Sequence, residues 1–418
     1  MRLLIVPALL LAVAAPLSCG GTAADASTSG AGGAPATSAS SSTGTGGAPH
    51  APCAASAGRS FCHLEGPHLA AATLAGATAG EAGIKLAATG LVAGTDVDNI
   101  YNGASFFSGS VTTADLDPLL SFDSAVVSWN ADTPAGTWIL VEASARVGSA
   151  WTAWYRMGVW ASGGSDITRH SFDGEQDAHG HVATDTIVLD QPADAIRARV
   201  TLFSADGKVT PTLRRLSIAL ADTASQAPPP AAGIAWGTTL DVPQRSQMVF
   251  ANGGEVWCSP TSTSMVMDYW SQKKGDVAWN VPVPTAAAGT YDAVYAGTGN
   301  WPFNVAYAAS FGLEGAVGWF HSASDLEPWI AAGVPIVVSA RWMAGELDNA
   351  PVQSTTGHLL VVVGFEANGD VIVNDPAAAS DAEVRRTYKR AQFEHAWVGT
   401  SRGVVYEIFP SDVAVPWK

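Results

Sequence analysis

Of the 418 residues, 47% are hydrophobic and 14% charged, and Asp plus Glu outnumber Lys plus Arg by 37 to 21, giving a formal net charge of −16. A field of that sign repels phosphate backbones and excludes duplex nucleic acid as a partner. At roughly 100–200 residues per domain, the length implies two domains or three.

The chain opens with Met1-Arg2, an apolar run from Leu3 to Leu17, and the small-residue end Ala15-Pro16-Leu17-Ser18-Cys19. The run is shorter than the ~20 residues a spanning helix needs, and its layout is that of a secretory signal over residues 1–18. Two cleavage points are open. Ser18-Cys19-Gly20 resembles a bacterial lipobox, which would make Cys19 a lipidated N-terminus; ordinary cleavage after Ala12-Val13-Ala14 is the alternative. Either implies export, to the cell envelope as a lipoprotein or to the extracellular space, with the membrane met only through the lipid anchor. Residues 19–83 read as a flexible tether, rich in Gly, Ala, Ser and Thr as far as Pro52 and too poor in apolar surface to offset the entropy of ordering. Within it, Cys53 and Cys62 bracket a Gly- and Ser-bearing segment that can close a small disulfide loop, the normal state of cysteines in an exported protein.

Residues 84–222 read as short strands separated by turns. Ile196-Arg-Ala-Arg-Val-Thr-Leu202, Arg215 to Leu220 and much of Thr137 to Arg146 alternate apolar and polar residues, the period of a half-buried strand, and predict an all-β sandwich. Trp129, Trp138, Trp151, Trp154 and Trp160 crowd this domain, as core residues or as a platform on which a cell-surface polysaccharide could stack. In Asp173-Gly-Glu-Gln-Asp-Ala-His-Gly-His181, His179 and His181 invite a metal reading, but two glycines fit a solvated loop better. No metal or cofactor is assigned. Residues 223–233, with Gln226-Ala-Pro-Pro-Pro230, read as a Pro-rich linker.

Residues 234–418 change pattern to that of an α+β domain. Pro260 to Tyr269 and Ser324 to Ala332 predict helices, the second with a capping box Ser324-Asp-Leu-Glu327 and a stop at Gly333. Val334 to Ala340, His358 to Phe365 and Val371 to Asn374 predict buried strands. In Trp257-Cys258-Ser259-Pro260-Thr261-Ser262, the proline suits a first helical turn and so puts Cys258 at a helix N-terminus, where backbone N–H groups and the helix dipole favour a thiolate. Such a nucleophile needs a proton acceptor, and His358 opens a strongly apolar strand. His321 and His395 read as surface or packing residues. Asp375, on the returning strand, can hold the imidazole in one tautomer. A tight Asn368-Gly369 turn would leave Asp375 about 13 Å out of register. A loop of four or more residues, or a bulge, reduces this to a diagonal of roughly 7 Å. The pairing therefore predicts such a loop.

Asp241-Val-Pro-Gln-Arg-Ser-Gln247, Trp257 to Ser262, Gly357-His358 and Asn374-Asp375-Pro376 together resemble the bacteriocin-processing, double-glycine-peptidase-like cysteine peptidases of papain-like fold, over about Thr239 to Ile408. The resemblance implies Cys258 as nucleophile, His358 as base, Asp375 as orienter and Gln247 as the side-chain donor of the oxyanion hole, with Gln244 as its substitute. Two departures stand out: Ser259 where the family usually has Gly, and a longer stretch from Gln247 to Cys258 in which Ala251-Asn-Gly-Gly254 looks inserted. The reading is an exported cysteine peptidase acting on a peptide or protein. The competing reading is a catalytically silent surface protein that binds a polymer through the sandwich, and amidase or acyl-transfer chemistry with the same triad is a third.

Overall fold

The computed structural model describes residues 52–56, 58–162, 166–225 and 233–417. The expected signal over 1–18, Cys19, the tether as far as residue 51 and the Pro-rich stretch 226–232 lie outside the described residues.

The N-terminal region is almost all β, in two antiparallel sheets. The eight-stranded sheet runs Cys53–Ser56, Arg59–Glu65, Thr212–Ala221, Phe122–Asp132, Thr186–Ala193 and Gly180–Ala183, with Ala77–Gly80 and Gly83–Leu86 joined to one side. The seven-stranded sheet is built around Thr137–Val147, Ala195–Ser204 and Ser105–Thr112. Alternation explains which face is which: Ile196, Ala198, Val200 and Leu202 are fully buried while Arg197, Arg199 and Thr201 between them are only half-buried.

The tether expected over 19–83 ends earlier than its composition suggests. Arg59–Glu65 lies inside the eight-stranded sheet, between Cys53–Ser56 and Thr212–Ala221. Its even positions Ser60, Cys62 and Leu64 face the core, a short alternation that the surrounding small residues obscure. Cys53 and Cys62 stand directly opposite each other in the hairpin and form a disulfide.

The C-terminal region is α+β. Its six-stranded antiparallel sheet runs Glu314–Trp319, Val404–Phe409, Ile336–Trp342, Thr355–Phe365, Val371–Asn374 and Arg385–Tyr388. The helix Cys258–Lys274 packs on it and is buried from Cys258 through Ser271, although rich in hydroxyls. Several of those hydroxyls have partners inside: Ser262 Oγ donates to the Leu359 carbonyl at 3.1 Å and Ser264 Oγ to the Thr261 carbonyl at 2.8 Å. Gly275, in the left-handed conformation at φ 73°, ends the helix and donates its N–H to the Ser271 carbonyl. The N-cap of the helix Ala323–Ala331 lies two residues before the expected one. Ser322 is its N-cap, with Asp325 closing the capping box, while Glu327 is buried and pairs with Arg390 at 3.0 Å.

The two regions share one continuous hydrophobic core. Glu314–Trp319 is an edge strand, and edge N–H groups need partners when buried. Alternate residues of the strand Phe122–Asp132 supply them. Asn130 donates to the Gly315 carbonyl at 2.6 Å and accepts its N–H at 3.2 Å, and Ser128 Oγ accepts the Val317 N–H at 3.2 Å. Asn130→Ala is expected to destabilise the whole chain by about 2–4 kcal/mol, because both groups of Gly315 lose partners inside the core. Chemical denaturation at pH 7 measures it; a loss under 1 kcal/mol would show that the two regions hold together without this bond pair.

Candidate active site

Cys258 opens a 17-residue helix, with Pro260 in its first turn and the Thr261 N–H bonded to the Trp257 carbonyl at 3.0 Å. The sulfur therefore sits at the positive end of a helix dipole, among N–H groups that favour a thiolate. Cys258 takes no part in the disulfide and is fully buried. One turn on, the Ser262–Leu359 bond lays the start of the helix against the strand beside His358.

His358 Nε2 lies 2.7 Å from Asp375 Oδ1, with both residues buried. The Tyr388 hydroxyl donates to Asp375 Oδ2 at 2.6 Å, and the Ala377 N–H donates to Oδ1 at 3.0 Å. Burial alone would push the Asp375 carboxyl up. The His358 imidazole, followed by the Tyr388 and Ala377 bonds, outweighs it and holds the carboxyl below its ordinary value. An ionised Asp375 only accepts, so the imidazole proton is assigned to Nε2 and Nδ1 is left as the proton acceptor. Burial, and after it the Asp375 charge, pushes the Tyr388 phenol well above its ordinary value, which keeps it a donor. Trp342 meets the His358 ring edge-on, centroids 5.6 Å apart, and fixes its plane.

The pairing calls for a longer loop or a bulge, and the connection between the two strands has both. Phe365 pairs with Val371, leaving the loop Glu366 to Asp370, and the register shifts between Val362 and Gly364. Continuing the Val361–Asn374 pairing puts Asp375 opposite Leu360, two residues from His358 and on its face of the sheet. Gly364 has a second use. A Cβ there would lie 2.2 Å from the Thr238 carbonyl oxygen, so only glycine lets the chain at Thr238–Leu240 lie along this strand.

That chain leads to Gln247. Asn374, on the opposite face from Asp375, donates to the carbonyls of Val242 and Pro243 at 3.2 and 3.1 Å. The Gln247 N–H then donates to the carbonyl of Pro376, the residue after Asp375, at 2.8 Å. Its side-chain Nε2 donates to the Gly254 carbonyl at 2.8 Å, four residues before Cys258, and the residue is buried. Gln244 lies elsewhere, accepting the Arg385 N–H at 3.0 Å on the exposed side. Gln247, not Gln244, is thus the amide gathered with the loop before Cys258 and the one after Asp375.

Ser259, where the resembled family usually has Gly, turns away from this cluster. Its Oγ is 2.9 Å from the Tyr406 hydroxyl, and both residues are buried. Ser259→Ala should leave any hydrolytic rate within about twofold of the parent and cost about 1–2 kcal/mol of stability, from the buried Tyr406 hydroxyl it strands. Thermal melting and turnover measured side by side check this; a rate loss above tenfold would place Ser259 in the chemistry.

Other candidate residues fall outside this cluster. Tyr388 and Trp342 belong to it without any motif that points to them in the sequence. His395 is half-exposed and 3.6 Å from Glu346, whereas His321 is buried and paired with Asp325 at 3.3 Å. In the Asp173–His181 segment the acids are already engaged: Asp177 accepts from the Tyr155 hydroxyl at 2.6 Å and Glu175 pairs with Arg156. Among the described residues no group of three or more His, Cys, Asp or Glu is placed to hold a metal ion, and no helix is long and apolar enough to cross a membrane. Trp129, Trp138 and Trp160 are core residues; Trp151 and Trp154 are half-buried and stacked by Arg197, at 4.1 and 4.8 Å from their centroids.

Residues 63–221 match the family model described as the Peptidase C39 N-terminal domain, and residues 239–405 match that of the Peptidase_C39 like family. No curated protein matches the sequence. Among solved structures, a C39-like peptidase from Bacillus anthracis is similar at 18% identity, over 41% of this chain and 96% of that one, with a TM-score of 0.28. A xylan-binding module, CBM15, is similar at 14% identity, over 39% of this chain and 90% of that one, with a TM-score of 0.19.

Proposed function

We propose that this chain, whose C-terminal domain belongs to the C39-like peptidases, is an exported cysteine peptidase that cleaves peptide bonds with Cys258 as nucleophile, His358 as base and Asp375 as its orienter. The observation that carries this reading is the buried His358–Asp375 pair, 2.7 Å apart, beside the helix that Cys258 opens.

Cys258 passes its proton to Nδ1 of His358, and the sulfur attacks the peptide carbonyl carbon. The oxygen that becomes negative is held by the Cys258 backbone N–H and the Gln247 side-chain amide, a donor worth about 3 kcal/mol of barrier. The imidazolium gives its proton to the leaving amine as the C–N bond breaks. Water, losing a proton to the same imidazole, then attacks the thioester, and the thiol is restored as the acid leaves. Asp375 keeps Nε2–H engaged throughout. The two sheets of the N-terminal region are read as a β-sandwich and the C-terminal region as papain-like α+β. Export rests on the signal-like Met1–Leu17, with Cys19 as the site of a lipid anchor.

One observation favours a second reading, a silent binding protein: Cys258 is 0% exposed, so its sulfur is closed to a substrate in this conformation. A peptide library digested by the parent and by Cys258→Ala separates the two. Products are expected from the parent alone, together with iodoacetamide labelling of Cys258 at a pH below that of an ordinary thiol. Equal turnover by both proteins, or a thiol inert until unfolding, overturns the enzyme reading.

A further inference from the structure

We propose that the N-terminal region is a positioning part of the peptidase site: its residues 169–171, acting through Asp292 and Thr298, fix the turn from which Cys258 opens its helix. The proposal rests on the peptidase reading and adds to it residues that touch no substrate. Four polar bonds from the N-terminal region fall on one stretch of the C-terminal region, residues 288–301. Arg169 Nη2 donates to the Ala288 carbonyl at 2.6 Å, and the Arg169 carbonyl accepts the Ala293 N–H at 3.0 Å. The Ser171 N–H donates to Asp292 Oδ1 at 3.0 Å, and Asp185 Oδ2 accepts the Trp301 N–H at 2.9 Å.

The gripped stretch is strained. Ala296 has φ 55°, in the left-handed region that a residue with a Cβ seldom enters. Such a conformation persists where its surroundings over-determine it, and it gathers at functional sites.

Asp292 supplies that over-determination. It is fully buried, and its Oδ1 accepts the N–H groups of Val294 and Tyr295 at 3.0 and 3.2 Å besides that of Ser171. Its Oδ2 accepts the Asn300 side-chain amide at 2.9 Å. One side chain thus joins the N-terminal region to both ends of the loop 292–300.

The same loop reaches the chain just before the nucleophile. Thr298 Oγ1 donates to the Val256 carbonyl at 3.3 Å, and Gln247 Nε2 holds the Gly254 carbonyl of the same turn at 2.8 Å. Within the turn, the N–H groups of Val256 and Trp257 donate to the Gly253 and Gly254 carbonyls at 3.0 and 3.1 Å. Cys258 follows directly, and its backbone N–H is one of the two donors assigned above to the oxyanion. A shift of the turn moves that N–H with it. Misplacing a reacting group by about 1 Å can cost about 10²-fold in rate, so a hold two residues before the sulfur has leverage on kcat.

Arg169→Ala, outside the peptidase domain, and Thr298→Val, which keeps the shape and removes the hydroxyl, test the two ends of this path. Hydrogen exchange of the full chain, read by mass spectrometry, should show the Val256 and Trp257 amides exchanging about threefold faster or more in both variants. On any peptide that the parent cleaves, both should lower kcat about threefold or more with KM within about twofold, because the Cys258 N–H acts on the transition state. Thr298→Ser should restore kcat to within about twofold of the parent. Asn130→Ala, which loosens the joint at the edge strand instead, should leave kcat and both amides within about twofold of the parent, well below its melting temperature. A parent that cleaves no peptide removes the peptidase reading, and this proposal with it. In an active parent, three results overturn the proposal alone: unchanged kcat or unchanged exchange in either variant, a loss in KM without one in kcat, or Asn130→Ala acting as strongly as Arg169→Ala.

Discussion

Asp375→Ala is expected to lower kcat/KM by about 10²- to 10⁴-fold, the usual worth of an oriented acid–base group. It should also destabilise the protein by about 3–5 kcal/mol at pH 7, since the change strands His358 Nε2 and the Tyr388 hydroxyl in a buried site. The two losses have different pH dependence. Asp375 is depressed in the folded state, so the stability it contributes is complete above the unfolded carboxylate pKa near 3.9 and is lost as pH falls through the lower folded value. Denaturation curves of parent and variant should therefore stand apart at pH 7 and converge in strong acid. Asp375→Asn, which keeps an acceptor for Tyr388, should recover most of the stability. Full activity in the alanine variant, with its fold intact, would remove Asp375 from the chemistry.

What could be read from the sequence depended on whether one residue type at one spacing was enough to fix a geometry. Cys258 before Pro260 was such a case, because a proline two residues on admits few conformations other than a first helical turn. The bulge and loop beside His358 were another, because the period of two in a strand leaves few registers that bring residues 358 and 375 to one face. Tyr388 was not. Its strand, Arg385–Tyr388, is an edge strand whose residues alternate weakly, and its bond to Asp375 exists only once Val371 has paired with it. The helices Val283–Thr290 and Trp301–Ala309 were hidden for a different reason. Trp301–Ala309 is buried on every side, so no polar face marks a period of 3.6. The strand Arg59–Glu65 was hidden by its neighbourhood, a long run of small residues in which one alternating heptad carries little weight.

The joint between the two regions also carries a charge that sequence could not assign. Asp185, on the turn before the strand Thr186–Ala193, accepts the Trp301 N–H at 2.9 Å, at the start of the helix Trp301–Ala309. That helix is tied in turn to the one Cys258 opens, through Thr263 Oγ1 and Asn304 Oδ1 at 3.2 Å. Asp292 stands nearby and holds the Ser171 N–H of the N-terminal region at 3.0 Å. A helix N-terminus ordinarily favours an ionised acid. Here the opposite effect wins: complete burial, with the Asp292 charge adding to it, pushes the Asp185 carboxyl up to about 7.

Asp185→Asn is therefore expected to stabilise the protein above pH 7, and the sign follows from linkage. Below the ordinary carboxyl value, 3.8, Asp185 is protonated in both folded and unfolded chains and costs nothing. As pH rises from there to about 7 the unfolded chain ionises first, so folded stability falls, by up to about 4 kcal/mol. An asparagine can keep the bond to Trp301 through its oxygen and has no proton to lose. Urea denaturation of parent and variant from pH 4 to pH 8 should show curves that meet at the acid end and diverge steadily toward neutrality. Glu407, also buried and raised to about 8, contributes a slope of the same sign to both proteins, so the difference between them isolates Asp185. Parallel curves would mean that Asp185 is already ionised at the joint, and that the helix dipole and the Trp301 bond outweigh its burial.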